Sequence, residues 1–405
     1  MSITYAAIKV LLIGLTLAAD AFYLLSIFAA RRFFSMRRRG EAQRGSEAKE
    51  FPPVSIMIPL SGADFKAYQN YAMFCRQDYP RYQIVFGVRE STDSSIPIVR
   101  RLIAEFPDRD IDLVVCPDVI GTNLKVSNLQ NMYARVKHEH IIIVDSDIRA
   151  AGDYLKRVVS EFPDERVGLV TCLYRAAEAP DFAARLEAVG ITAEFMPGVL
   201  MAWMIEGVKF SLGSTMATTR ARLEAIGGFH ALKDYLADDF MLGNLMAGRG
   251  YEVRISDYTV ETAMAPAGLP SMLRHQMRWA RSTRISRPMG YLGLIFTYGT
   301  ALALINLLES GGSSLSLLLL AFTLAVRMTM GWTIGVHYLK DTILKKHFWL
   351  LPLRDVLSFV IWCLSWFGKR VEWRGRIFEV MRDGRMVQVG EKRRQSELIR
   401  KAGTQ

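Results

Sequence analysis

Ile141-Ile142-Ile143-Val144-Asp145-Ser146-Asp147 carries the reading on which the fold turns. Four consecutive β-branched residues suit a short strand buried on both faces, as in a parallel sheet, rather than a half-exposed strand with alternating polarity. The run stops at two aspartates spaced i, i+2. At the carboxyl end of a buried strand such a pair can share one hard divalent cation; it can equally be a polar turn, because aspartate suits turns.

Working outward, residues 54–60, 83–88, 113–116, 141–144 and 167–171 read as strands separated by helical patterns. This alternation predicts an α/β fold, a mostly parallel sheet covered by helices on both faces, with ligands gathered at the carboxyl ends of the strands. Pro59, Ser61-Gly62-Ala63-Asp64, Arg89-Glu90 and Asp145-Ser146-Asp147 all fall there.

The 405 residues are 51% hydrophobic with a net charge of +11, and the mean hydropathy is positive. That is more apolar sequence than one soluble domain needs, and membrane spans account for the surplus. Residues 10–30 are long enough to cross a bilayer and are followed by Arg31, Arg32, Arg37, Arg38 and Arg39, which by the positive-inside rule place the next segment in the cytoplasm. A cleaved signal peptide would carry its charge before the apolar core instead. Asp20, inside this span, faces either a partner helix or a polar lipid group.

Residues 292–308 and 315–338 read as a transmembrane hairpin in which Arg327 faces protein rather than lipid. Residues 348–367 are interrupted by Arg354-Asp355, which predicts an interfacial or re-entrant helix. The segment 195–212 is either a core helix pair or an interfacial helix guiding a lipid. The expected plan is an N-terminal transmembrane helix (1–34), a basic linker (35–53) and a cytoplasmic domain (54–288). After these come the hairpin (289–340), the interfacial or re-entrant helix with a basic closing motif (341–390) and a disordered tail (391–405).

Cys75, Cys116, Cys172 and Cys363 have neither zinc-site nor disulfide-framework spacing. No basic stripe interleaved with aromatics points to nucleic acid. A dinucleotide-binding dehydrogenase would need G-x-G-x-x-G after Leu60, where the chain has Ser61-Gly62-Ala63-Asp64.

Chemistry-bearing candidates recur along the chain. Asp145 and Asp147 offer only oxygen, which suits Mg²⁺ or Mn²⁺ rather than zinc. In Leu236-Ala237-Asp238-Asp239-Phe240 one acid can take a proton from an acceptor hydroxyl, or both can simply favour a helix start through its dipole. Lys125 and Asn128 reach phosphate or nucleoside, or mark an ordinary helix start. Gln276-Met277-Arg278-Trp279, with Arg281 and Arg284 beyond, sets arginine beside a flat aromatic; this suits a leaving diphosphate and a stacked ring, or arginines snorkelling at a membrane surface.

In this order, Glu90 with Asp93, Asp145-Ser146-Asp147-Ile148-Arg149, Ala237-Asp238-Asp239 and His275-Gln276-Met277-Arg278-Trp279 resemble the ceramide glucosyltransferase family of inverting glycosyltransferases. Cys75-Arg76-Gln77-Asp78-Tyr79-Pro80, Lys125-Val126-Ser127-Asn128-Leu129 and Trp373-Arg374-Gly375-Arg376 extend the resemblance along nearly the whole chain. It implies a glycosyltransferase A fold, Rossmann-like, facing the cytoplasm of a multi-pass protein in a bacterial inner (plasma) membrane. It also implies a UDP-sugar donor and a lipid acceptor.

By position, the resemblance makes Asp239 the catalytic base and Arg278-Trp279 part of the catalytic motif. Pro59, Gly62, Glu90, Asp93, Lys125, Asn128, Asp145, Asp238, His275 and Gln276 form the donor-binding set, and Asp145 and Asp147 hold Mg²⁺ or Mn²⁺. The chain departs from the family pattern at Glu90, where aspartate is usual, at His275, where Gln or Arg is usual, and at Ser61, where a basic residue is frequent. Two bacterial kinds are similar: enzymes that move glucose to ceramide, and hopanoid-associated enzymes that add N-acetylglucosamine to bacteriohopanetetrol. A processive polysaccharide synthase would want more spans.

Overall fold

The computed structural model describes residues 3–44, 51–373 and 376–389. They form two compact units, each assembled from separated stretches of chain. The sheet unit holds residues 51–173, Val208–Ala265 and 368–389; the helical unit holds residues up to 44, Tyr174–Gly207 and Pro266–Phe367. Within the expected domain over 54–288, residues 174–207 and 266–288 group with the apolar helices, and the chain beyond Phe367 groups with the sheet.

In the sheet unit, β1 (Val54–Pro59), β2 (Tyr82–Val88), β3 (Asp110–Val115) and β4 (His140–Ile143) form the parallel half. Ile56 lies opposite Ile84 on one side and Ile142 on the other, and β1 and β2 are buried throughout. This is why their sequences read as nearly continuous apolar runs, with the buried Ser55 donating to Gln83 at 2.8 Å. The sheet continues through β5 (Ile148–Arg149), β6 (Val167–Glu178), β7 (Met216–Thr219) and β8 (Glu252–Ala263), in the order β3-β2-β1-β4-β7-β6-β8-β5. β7 joins β4 and β6, and β8 joins β5, all antiparallel. β5 has two residues and β7 four, too few for a readable period.

The basic closing motif was expected beside a membrane helix. Instead its described residues enter a three-stranded antiparallel sheet of β9 (Arg370–Trp373), β10 (Arg376–Val380) and β11 (Met386–Gln388). Arg385 bridges Tyr235, Met386 N donates to Asp234 O at 2.7 Å, and Leu236 N donates to Gly384 O at 3.4 Å. Arg374, Gly375 and the tail 391–405 lie outside the described residues.

The helical unit revises three expectations. The helix Ile3–Arg44 runs through the first part of the supposed linker, as its arginines, alanine, glutamate and glutamine favour. The first arm of the hairpin is broken: Pro288–Thr297 and Gly299–Glu309 meet at 58°. The Tyr23 hydroxyl sits in the break, donating to Thr297 O at 2.8 Å and accepting from Gly299 N at 2.9 Å. Finally, Phe348–Ser365 is helical and apolar enough to cross a membrane despite Arg354-Asp355, because both charges are paired inside the protein. Arg327 grips Asp355 with two bonds of 3.0 and 2.6 Å, and Thr300 adds a third to the same carboxylate. Asp20 accepts a hydrogen bond from Thr323.

By length and composition, four helices can cross a membrane, or five with the bent pair as one span. One of them is Phe182–Glu206, which covers most of the ambiguous segment 195–212; its middle, Ile191–Phe195, widens into a π-helical turn.

Candidate active site

The acidic cluster grows from three pieces of the sheet unit. β4 delivers Asp145 at its carboxyl end, the helix Leu124–Tyr133 delivers Lys125 in its first turn, and the helix Asp238–Gly248 begins with the two adjacent aspartates. Lys125 Nζ lies 2.7 Å from Asp145 Oδ1 and 3.2 Å from Asp238 Oδ2. Burial disfavours the charged lysine, but the Asp145 and Asp238 carboxylates outweigh it and hold the ammonium well above its ordinary range.

Backbone donors hold the Asp239 carboxylate: Gly213 N donates to Oδ2 at 3.0 Å and Phe240 N to Oδ1 at 2.8 Å. Burial first, then the neighbouring Asp238, push its carboxyl up to about 6. Asp147 is likewise raised to about 6 by burial and by Asp145, although Thr262 donates to it at 2.7 Å. Lys125 thus pairs with Asp145 and Asp238, while Asp147 and Asp239 stay raised, and an added cation would relieve them.

Gly213 forms the floor of the cluster. A Cβ there would stand 2.7 Å from Asp145 Oδ2 and 3.4 Å from Asp239 Oδ2, so only glycine lets the two carboxylates approach over it.

The expected donor-binding residues divide. Pro59 ends β1 as a buried residue, and Gly62 turns just beyond it with φ of 79°. Asp93 accepts from Gly62 N at 2.9 Å and from Ser95, so it shapes this loop. Glu90 is exposed at the end of β2. Asn128 is buried and donates to Gly87 O at 2.7 Å and Leu60 O at 3.3 Å; it clamps the ends of β1 and β2 instead of reaching outward.

His275, Gln276, Arg278 and Trp279 lie on the helix Leu269–Ser286 of the helical unit. His275 Nδ1 is 2.7 Å from Glu187 Oε1, and Gln276 Nε2 donates to the same oxygen at 2.9 Å. Gln276 Oε1 accepts from Arg354 at 2.9 Å. Gln276 is buried, and both its ends hold helices together. Trp279 is 36% exposed and leans on the His275 ring.

Sequence reasoning missed Asn123. Its Oδ1 accepts from Lys125 N and Val126 N, while Nδ2 donates to Tyr235 O at 2.7 Å and lies 3.4 Å from Asp238 Oδ1. One buried amide therefore caps the lysine's helix and ties it to the loop of the paired aspartates. An Asn immediately before a helical pattern was the available signal. Glu187 and Glu194, acids inside an apolar helix, were a second signal.

The family model for glycosyl transferase family 21 matches residues 13–386. Ceramide glucosyltransferase 3 of Caenorhabditis elegans is 25% identical over 240 residues, 58% of this chain and 51% of that protein. Ceramide glucosyltransferase of Gibberella zeae is 30% identical over 156 residues, 34% of this chain and 30% of that protein. The chain spans about half the length of the first of these, 51%, and less of the second. Among solved structures, the mannosyltransferase PcManGT of Pyrobaculum calidifontis, in complex with GDP-Man and Mn²⁺, is similar with a TM-score of 0.50 and 18% identity. The match covers 87% of this chain and 97% of that one, and it supports the glycosyltransferase fold.

Proposed function

Because the chain belongs to glycosyl transferase family 21, we propose that it moves glucose from UDP-glucose to the primary hydroxyl of ceramide, inverting the anomeric carbon, at the cytoplasmic face of a bacterial plasma membrane. The observation that carries this reading is Asp239, a raised carboxylate fixed by two backbone N–H groups beside Asp145, at the carboxyl end of a buried strand. Asp239 accepts the proton of the acceptor hydroxyl as that oxygen bonds to the anomeric carbon. The bond from that carbon to the UDP oxygen breaks, and UDP leaves with the electron pair. A carboxyl near 6 is half-tuned to neutral pH and stronger as a base than an ordinary aspartate.

Lys125 offers the donor diphosphate a fixed cation, and the family motif assigns Arg278 and Trp279 a catalytic role. Glu90 is the acid left for the nucleoside, since Asp93 is committed to the Gly62 turn. Asp145 and Asp147 would hold Mg²⁺ or Mn²⁺, whose chemistry is to neutralise the leaving diphosphate. Their all-oxygen donor set and the surplus of negative charge fit such a cation. Among the described residues no three acid, histidine or cysteine side chains form a ready cage, so diphosphate and water would complete the coordination.

The test is a transfer assay on purified enzyme in detergent. UDP-glucose and UDP-N-acetylglucosamine are offered against ceramide and bacteriohopanetetrol, with Mn²⁺ or EDTA, and products are identified by mass. Glucosylceramide that forms only with metal supports the full reading. N-acetylglucosaminyl hopanoid keeps the mechanism and moves the acceptor. Wild-type enzyme without any product overturns it.

A further inference from the structure

The helical unit contains a polar chain that nothing in the proposed chemistry uses. It begins at Glu187, passes through Gln276 to Arg354, and ends where Arg354 Nε donates to Glu194 Oε2 at 3.1 Å. Ser358 donates to the same Glu194 oxygen at 2.7 Å. Glu194 lies in the π-helical turn of Phe182–Glu206, a helix long and apolar enough to cross a membrane. Such turns concentrate at functional sites, and an ionisable residue at membrane depth is costly unless it serves a ligand or a partner.

Two valences of this chain are open. Glu194 Oε1 accepts no hydrogen bond among the described residues, and the side chain is 25% exposed beside the exposed ring of Phe195. Arg354 is only 6% exposed, yet its Nη1 is buried with no partner among the described residues. The guanidinium lies flat on Gly190, where an added Cβ would stand 2.6 Å from Nε, so it cannot swing back over that helix. An open acceptor on a carboxylate whose other oxygen is bonded to a guanidinium with an unsatisfied donor complements a group that both donates and accepts: a secondary amide or a hydroxyl on a lipid.

We propose that Glu194 and Arg354 form the polar end of a lipid acceptor site, with Glu194 Oε1 accepting from a lipid N–H or O–H and Arg354 Nη1 donating to a lipid oxygen. Phe195 and its apolar neighbours on the same helix supply the surface for the hydrocarbon. The site rests on the proposed transferase reading for its purpose but not for its existence. Through Gln276 it is joined to the helix that carries Arg278 and Trp279.

The experiment uses full-length enzyme in detergent with a diazirine-bearing ceramide and a diazirine-bearing polyol hopanoid. Photocapture is read alongside KM for lipid and for UDP-sugar. Glu194→Gln removes the charge, and Ser358→Ala removes one neighbouring hydroxyl while leaving the ion pair; melting temperatures identify any misfolded variant. Expected is capture of one of the two lipids, about tenfold weaker in Glu194→Gln, with the lipid KM raised by the same factor and the UDP-sugar KM unchanged. Ser358→Ala shifts both in the same direction by less.

Which lipid is captured distinguishes the sphingoid amide from the polyol as the source of the headgroup. Capture and lipid KM unchanged in both variants overturn the site while leaving transfer standing. Glu194-dependent capture by an enzyme that transfers no sugar upholds the site and overturns the transferase reading. No capture of either lipid by wild-type enzyme overturns the site.

Discussion

Lys125 Nζ stands 2.7 Å from Asp145 Oδ1, joining the strand-end aspartate to a cation from another element. The pair explains why Asp145 and Asp239 can crowd one glycine: a single buried positive charge offsets part of the repulsion that raises Asp147 and Asp239.

Replacing Asp239 by Asn keeps the side chain's shape and one of its two acceptor oxygens but removes the base. Turnover should fall by about 10²–10⁴, while calorimetry of UDP-sugar binding should give an unchanged dissociation constant. Retained turnover would assign the base elsewhere.

Asp239 must be ionised to accept a proton, and its carboxyl stands at about 6. The acid limb of kcat/KM should therefore bend near pH 6, falling about tenfold per unit below it, where an unperturbed aspartate would leave activity flat to about pH 4. Asp238→Asn removes a carboxylate that raises Asp239, so the bend should move to lower pH. A profile flat down to pH 4 in the wild type would contradict the assignment.

Gly213→Ala puts a methyl 2.7 Å from Asp145 Oδ2. The carboxylates must separate, and kcat should drop by about 10-fold or more, since ångström-scale displacement of catalytic groups costs about that. Circular dichroism should show the sheet intact. Wild-type kcat in this variant would mean the close approach is dispensable.

Asn123 tests positioning against simple capping. Asn123→Ala loses the cap and should cost about 0.5–2 kcal/mol of stability. Asn123→Asp retains acceptors for Lys125 N and Val126 N but sets a carboxylate against Asp238. If the residue only caps, Asn123→Asp is active; if it couples the lysine helix to the aspartate loop, kcat falls in both variants.

Arg327→Met leaves Asp355 buried without its partner and should destabilise the enzyme by about 3–5 kcal/mol. The double variant Arg327→Met with Asp355→Leu should recover most of that loss in detergent thermal melts, because no uncompensated charge remains. Equal losses in single and double variants would show that the pair does more than neutralise itself.

The parallel half of the sheet was legible because residues such as Ile56, Ile84 and Ile142 are buried on both faces and need a continuous apolar code. Asp145, Asp238 and Asp239 were legible as strand-end and helix-start acids, and Lys125 as a first-turn residue. The partners of His275 and Gln276 were not, since Glu187 and Arg354 lie far away in sequence and no local period links them. The partners of Arg354 and Asp355 were hidden for the same reason, Glu194 and Arg327 lying far away in sequence. The closing strands were hidden by length, β9 and β11 having four and three residues.

The hydrogen bonds from Leu236 and Met386 to their opposite backbones also impose an order of synthesis. The aspartate loop leaves the ribosome long before the strand that latches it, with Phe348–Ser365 made in between. A nascent chain therefore carries its acids without their brace until residues 384–386 have been made. Termination ahead of Arg385 yields a protein with Asp145, Asp147, Asp238 and Asp239 in place and no latch, a form open to cellular proteolysis.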